Sequence, residues 1–308
     1  MKIGVLGIGG VGGFIGAKLA HAYQNDPAAE IIFICRGTTQ QEISTNGINL
    51  HADGQQIHTK PSIASDDPAK IGQLDLLIIA TKAFSLPSVI TNFQDCISTD
   101  TVILPLQNGI NAAETILQQF PKNPPTVLEG CIYIASNIEK PGVIHHVGGP
   151  GKVIFGKEGS GDFRWITTLL QKAGIDAHYT SEIKKVLWKK FLFVSPLAAI
   201  TTAYDVTFGE VAAREELVKR LQKLMQEVQA VANVKTTVLQ DSDVEEALNM
   251  LSNFPYSAKS SLQLDVEQEA PQTEKATFID FVIALGRKAH INTEAYLLMD
   301  KLITEKTH

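Results

Sequence analysis

Near its start the chain carries Gly7, Gly9 and Gly12 in the spacing G-x-G-x-x-G, between an apolar run at 3–6 and an apolar-periodic stretch at 11–23. In a loop that joins a strand to a helix each glycine has its own duty. The first permits a tight turn, the second lets backbone approach a pyrophosphate, and the third allows helix and strand to pack closely. Free N–H groups and the positive end of the helix then complement phosphate charge. Gly7, Ile8, Gly9, Gly10, Val11 and Gly12 therefore form the candidate cofactor-binding segment. The strand before and the helix after favour this over a glycine loop with no ligand.

Which dinucleotide such a loop takes is decided at the end of the second strand, where an Asp or Glu would hold the ribose 2′-hydroxyl of NAD. Here the run 31–35 ends in Arg36, and no acid follows until Glu42. A guanidinium there suits a 2′-phosphate through paired charge-assisted bonds, so NADP is expected. The competing reading is a solvated loop arginine.

Lys190 stands four residues after Val186 and four before Val194, which on a helix places it in an apolar stripe, whereas Lys189 shares a face with Lys185. Lysine is almost never fully buried unless paired, and a tuned ammonium can give a proton to a carbonyl oxygen as hydride arrives. A snorkelling lysine with a packed stem is the alternative. Pro196 removes one backbone bond from the same helix and is expected to kink it, and Trp188 reads as core. Other chemistry finds little support. His145 and His146 are adjacent, so on a strand they face opposite ways and cannot chelate together; no metal site is expected. Neither G-x-S-x-G nor G-x-x-x-x-G-K-[ST] occurs.

The elements that must position these residues follow from hydrophobic patterning. Short apolar runs at 3–6, 31–35, 74–80 and 102–106 alternate with helical patterns, which predicts a parallel sheet wound with helices. Between 127 and 157, strand-like segments are broken at 140–142 and 148–151 by turn residues suited to antiparallel hairpins, so the sheet is expected to be mixed. After Ser181 strands give way to helices. Leu217, Leu221, Leu224, Val228 and Val231 mark one buried helical face. Further helices are expected at 241–251, 273–289 and 293–304, with Asp241 and Thr293 as N-caps. The fold class is thus α/β, an N-terminal Rossmann-type doubly wound sheet over 1–180 followed by an all-α C-terminal domain over 181–308.

At 308 residues, 44% of them hydrophobic, the chain can fill two cores. A net charge of −6 without a basic run leaves no footprint for nucleic acid or an anionic membrane, and points to a small-molecule partner. Three cysteines, Cys35, Cys96 and Cys131, lack any C-x-x-C spacing and fit a reducing cytoplasm. Five glycines from Gly4 to Gly12 would break the helix of a signal peptide, and the apolar run 191–203 is too short and too interrupted to span a bilayer. Oligomeric state is left open, a homo-oligomer included.

Beyond the glycine loop, the segments DLLIIATK at 75–82, LQNG at 106–109 and WKKF at 188–191, then Ser260-Ser261 and Thr273-Glu274, stand in the order found in ketopantoate reductases. The resemblance spans almost the whole chain. It implies a Rossmann domain, a helical domain, NADPH as reductant and 2-dehydropantoate as the 2-oxo acid reduced. Carried over by position, Lys190 matches the family's general acid and Glu274 a carboxylate that helps hold the substrate. Asn108 and Lys82 match groups beside the nicotinamide and substrate, and Ser261 a substrate-binding serine. Taken alone, Lys82 also reads as an exposed loop lysine, Asn108 as part of an Asn-Gly turn, Glu274 as a first-turn acid and Ser261 as a cap. Val194 and Ala198 depart from the family pattern, which has Asn at both positions. That departure supports a dehydrogenase acting on another 2-oxo or 3-hydroxy acid as an alternative, and a non-enzymatic dinucleotide sensor is a further one.

Overall fold

The computed structural model describes residues 1–159, 161–234 and 238–306. It divides into two compact units, Met1–Ile183 and the remainder from Lys184 onward.

In the first unit, strands β1 (Lys2–Leu6), β2 (Glu30–Ile34), β5 (Ile63–Ser65), β6 (Leu76–Ile79), β7 (Val102–Pro105) and β8 (Thr126–Val127) form one sheet in the order β5-β2-β1-β6-β7-β8. Every pairing in it is parallel. Helices α2 (Gly37–Asn46), α3 (Pro68–Ile71), α4 (Leu86–Asn92), α5 (Ala112–Leu117) and α6 (Arg164–Lys172) join or flank the strands. The strands read as continuous apolar runs because both faces are covered. Ile31, Phe33, Leu76 and Ile78 enter one core, whereas Ile32, Ile34, Leu77 and Ile79 enter the other, with Leu86, Ile90 and Phe93 of the α4 region.

The expected mixed sheet is instead two sheets. Strands β3 (Ile48–Ala52), β4 (Gln55–Thr59), β9 (Glu129–Lys140), β10 (Val143–Gly156) and β11 (Ala177–Tyr179) form a second one, in which β10 pairs antiparallel with β9 and parallel with β3 and β11. Residues 140–142 do turn between β9 and β10, but 148–151 lies within β10 and breaks its register with β9 as an irregularity, so it is no second hairpin. The β3–β4 hairpin at Asp53-Gly54, both at positive φ, is an Asp-Gly turn that the hydrophobic pattern alone does not announce. His145 stacks on His51, its partner across the sheet, with ring centroids 4.5 Å apart, while His146 meets Phe14, so the two adjacent histidines do face apart. All three cysteines are free thiols.

Helix α1 (Gly10–Tyr23) contacts both sheets and is buried along most of its length. A Cβ at Gly16 would strike Phe33 of β2, and one at Gly13 would strike Ile144 of β10.

The second unit is helical throughout its described residues: α7 (Ile183–Tyr204), α8 (Phe208–Ala213), α9 (Glu215–Asn233), α10 (Asp241–Met250), α11 (Ser261–Glu267), α12 (Phe281–Ala289) and α13 (Glu294–Lys306). A π turn, Ala276–Asp280, runs directly into α12. The expected cap Asp241 is the first residue of α10, one position inside, while α13 begins directly after Thr293. Helix α7 passes through Pro196 unbroken, and 78% of its most apolar window is buried. By length and composition it meets the test for a membrane span; its burial is that of a core helix.

Lys189 is partly exposed, as its shared face with Lys185 suggests, but it is also ion-paired. Its ammonium lies 2.6 Å from the buried Asp243 carboxylate and 3.3 Å from Glu246, tying α7 to α10. Burial alone would raise the Asp243 carboxyl, but hydrogen bonds from Lys189 and the Gln240 amide outweigh it and hold it below its ordinary value. The Asp243 bond in turn lifts Lys189 above the ordinary lysine value. A depressed carboxyl stabilises the fold above its unfolded-state value, and that contribution is lost as pH falls through the lower folded value. The raised lysine contributes below its unfolded-state value and loses its share as pH rises through the higher folded one. Lys189→Met, which keeps the stem, is expected to cost about 1–2 kcal/mol in urea unfolding at pH 7. The difference should shrink as pH falls below the ordinary carboxylate range toward the depressed folded value of Asp243. A difference that stays constant as pH falls until the protein unfolds would show that packing alone is lost.

Candidate active site

At the carboxyl end of β1 the glycine loop has the geometry its spacing requires. Gly7 takes φ +89°, and a Cβ there would fall 2.6 Å from the Thr81 methyl and 2.9 Å from the Thr81 nitrogen. A Cβ on Gly12 would fall 2.0 Å from the Gly7 carbonyl oxygen, so only glycine lets α1 lie this close to the strand. At Gly9, which precedes the first residue of α1, a Cβ would meet nothing within 4 Å. The loop is therefore tight at both ends and open in the middle, at a helix N-terminus without acidic residues in its first turn. That shape and polarity fit a pyrophosphate. Ile8 is buried, and Val11 is half-buried. Gly10 faces β9, where a Cβ would come 2.1 Å from the Ser136 carbonyl oxygen, and the Ser136 hydroxyl donates to the Gly10 carbonyl at 3.0 Å. Ser136 thus braces the loop from 126 residues away, and no local signal marks it.

Arg36 directly precedes α2 and is exposed, and among the described residues its guanidinium makes no hydrogen bond or ion pair. It stands at the carboxyl end of β2, next to β1 in the sheet.

On the other side of β1, the ends of β6 and β7 carry Lys82 and Asn108. The Lys82 backbone is closely held. Its carbonyl accepts from the Ser85 amide at 3.1 Å, the Ser85 hydroxyl at 2.8 Å and the Gln107 amide at 3.3 Å, while its side chain is exposed. The same Gln107 amide donates to the Thr81 hydroxyl at 2.9 Å. Its carbonyl oxygen is buried with no hydrogen bond among the described residues. Gln107 stood inside the LQNG segment, yet sequence reasoning chose only its neighbour. Asn108 is half-buried, and Gly109 beyond it takes φ +113°. The glycine loop, Lys82 and Asn108 thus gather at the ends of three adjacent strands, where open parallel sheets place their ligands.

In the second unit, α7 buries Leu187, Trp188, Phe191, Leu192 and Phe193, whereas Val186, Lys190 and Val194 are only half-buried. The stripe that sequence spacing marks as apolar is thus half-buried, less exposed than Lys184 and Lys185 at the start of the helix, and Lys190 is its one charged member. The stripe closes at Ala198, which is 1% exposed. Trp188 is core, in edge contact with Phe191. Glu274 is 4% exposed and sits two residues before the π turn, its carbonyl accepting from the Thr277 and Phe278 amides. π turns recur at functional sites because the widened turn re-aims the residues around it.

Ser261 is exposed as the first residue of α11, and the cap is Ser260, whose hydroxyl accepts from the Gln263 amide. Ser260 also pairs at 2.9 Å with Thr201 of α7. Among the described residues no cluster of metal-ligating side chains occurs.

The family model "Ketopantoate reductase PanE/ApbA" matches residues 3–159, and its partner "Ketopantoate reductase PanE/ApbA C terminal" matches residues 182–307. An uncharacterized oxidoreductase of Bacillus subtilis, YkpB, is 30% identical over 87% of this chain and 86% of its own. The crystal structure of 2-dehydropantoate 2-reductase from Porphyromonas gingivalis superposes with a TM-score of 0.83 at 25% identity, covering 99% of both chains. D-mandelate dehydrogenase, solved with NADH and anilino(oxo)acetate, shares the fold with a TM-score of 0.86 at 21% identity over 100% of this chain and 98% of that one. With both of its parts matched and a relative 30% identical over most of its length, this chain belongs to the ketopantoate reductase family of NADPH-dependent oxidoreductases.

Proposed function

We propose that the chain reduces 2-dehydropantoate to pantoate with NADPH, a step of pantothenate and coenzyme A biosynthesis, and that Lys190 supplies the proton. The observation that carries this reading is the placement of Lys190 as the charged member of the half-buried row Val186, Lys190 and Val194 beside the buried aromatic face of α7, whereas its neighbour Lys189 is engaged by Asp243. The first unit is then the dinucleotide-binding domain and the helical unit the substrate and catalytic one.

The glycine loop from Gly7 to Gly12 would hold the pyrophosphate, and Arg36 the 2′-phosphate. Bound there, NADPH would supply a hydride to the carbonyl carbon of the 2-oxo acid. As that carbon becomes tetrahedral, negative charge builds on its oxygen and must be neutralised in the transition state. Lys190 places an ammonium proton on that oxygen, which completes the hydroxyl and leaves the lysine neutral until solvent restores its proton. Glu274 orients a substrate hydroxyl, and Asn108 and Ser261 hydrogen-bond the substrate. Lys82 projects from a backbone that Gln107 and Ser85 hold in place, which suits a charged group that must stay beside the nicotinamide end.

Val194 favours a second reading, in which another 2-oxo acid is the substrate. It stands one helical turn from Lys190 on the same half-buried stripe, so an apolar substrate group would suit it better than a hydroxyl. Ala198, one turn further along the same row, is buried and does not bear on the choice. The sensor reading loses ground to the oxidoreductase chemistry of the family. Three free thiols fit a cytoplasmic enzyme.

Gly9→Ala is expected to fold with unchanged Tm and to weaken NADPH binding about tenfold or more, because its methyl fills the space of the pyrophosphate. Gly12→Ala should instead lower Tm. Arg36→Ala should cost about 1.5–3 kcal/mol in NADPH affinity while leaving NADH unaffected. Titration calorimetry with thermal melts checks all three, and equal loss for both dinucleotides would remove Arg36 from the selection.

Steady-state kinetics on 2-dehydropantoate and a panel of 2-oxo acids tests the activity itself. The expected result is highest kcat/KM for 2-dehydropantoate, and a roughly hundredfold or greater loss of kcat in Lys190→Ala. The exposed Lys185→Ala is the control, since Lys189 holds Asp243. A different best substrate would support the second reading, and full turnover by Lys190→Ala would dismiss the lysine from catalysis.

A further inference from the structure

Between α7, α13 and the π turn lies a set of buried hydroxyls that the reaction scheme leaves unused. Ser195 and Tyr296 are both 0% exposed. The Ser195 hydroxyl lies 2.6 Å from the Phe278 carbonyl oxygen and 2.6 Å from the Tyr296 hydroxyl. A carbonyl only accepts, so the single Ser195 proton goes to Phe278, and Tyr296 must donate to Ser195. The direction of the relay is therefore fixed: Tyr296 to Ser195 to the Phe278 carbonyl. Burial raises the Tyr296 hydroxyl far above its ordinary value and keeps it protonated, as donation requires.

The relay joins the helix that carries Lys190 to the segment that follows Glu274. Ser195 follows Lys190 by five positions on α7, and the next residue, Pro196, has no N–H to return to the Leu192 carbonyl. A helix missing that bond gains a lateral tie at the same place. At the other end, the Phe278 amide donates to the Glu274 carbonyl at 3.1 Å while the Phe278 carbonyl accepts from Ser195. Phe278 is thus bonded to Glu274 on one side and to the Lys190 helix on the other, and its ring packs at 6.5 Å against Phe191, the residue after Lys190. Tyr296 is itself anchored. The buried Glu227 carboxylate of α9 accepts from the amides of Ala295 and Tyr296 at 2.9 and 3.1 Å, at the N-terminus of α13.

We propose that Tyr296 and Ser195 are positioning residues that set the register between the Lys190 helix and the π turn after Glu274, and through it the placement of Lys190 for proton donation. This rests on the function proposed above and adds to it two residues that touch neither substrate nor cofactor. Misplacement of a reacting group by ~1 Å is enough to cost on the order of a hundredfold in rate, whereas binding made elsewhere is untouched.

Tyr296→Phe, Ser195→Ala and the double variant test the relay, with turnover measured per folded enzyme by active-site titration with NADPH. The expected result is a fall in kcat of ~10- to 100-fold in each single variant, with KM for NADPH within about twofold of the native value. The double variant should be no slower than the worse single one, because the relay is already broken. A loss of Tm with kcat unchanged would overturn the proposal, as would rate losses that simply multiply. Lys190→Ala, run alongside, separates the two claims. If it is slow while both relay variants keep native kcat, the positioning role alone fails. If it turns over as the native chain does, the proposed function of the lysine fails first.

Discussion

The close approach of the Gly12 backbone to the Gly7 carbonyl is the contact on which the first unit depends. Any side chain there would push α1 off β1, and α1 has no room to move, since it also lies against the second sheet at Gly13 and Ser136. A helix buried on two faces must be small on both, which is why its sequence alternates glycine and alanine with single large residues such as Phe14, Ile15 and Leu19. Burial of those residues, at roughly 1.5–3 kcal/mol each, outweighs the ~1 kcal/mol that each glycine costs a helix. The open space at Gly9 follows from the same packing. The helix N-terminus is fixed on all sides but the one from which an anion can approach.

The second unit solves a different problem, which is to keep a lysine half-buried on a helix that is largely core. Leu187, Trp188, Phe191, Leu192 and Phe193 are buried, and Val186, Lys190 and Val194 are left half-buried. Several polar groups within this core are paired: Ser195 with Phe278 and Tyr296, Thr201 with Ser260, Glu227 with the start of α13. Each bond is worth little net stability, but leaving one partner unpaired costs more, so the network resists rearrangement and holds the helices in register.

The parts legible in the sequence were those whose cause is local. A glycine loop has its strand before it and its helix after it, and the strands 76–79 and 102–105 are apolar throughout because two layers cover them. What escaped depends on tertiary neighbours. Residues 148–151 carry turn chemistry, yet β9 holds them inside β10 as an irregularity. Helical spacing located the stripe through Lys190 but not its degree of burial, since Val186 and Val194 are apolar and yet only half-buried. Lys189 looked solvated because its partner, Asp243, lies on another helix. Ser260 and Ser261 cannot be told apart as cap and first helical residue by composition, and Gln107 and Ser136 act through bonds to residues 25 and 126 positions away.

The central claim is that an ammonium at position 190 gives its proton to the substrate's carbonyl oxygen, and chemical rescue tests it most directly. In Lys190→Ala, small primary amines of graded acidity are added at constant pH and ionic strength while turnover of the 2-oxo acid is followed. The account predicts that the rate rises in proportion to ammonium concentration, with a slope that depends on the acidity of the amine. A slow variant that binds NADPH normally and responds to no amine would contradict it.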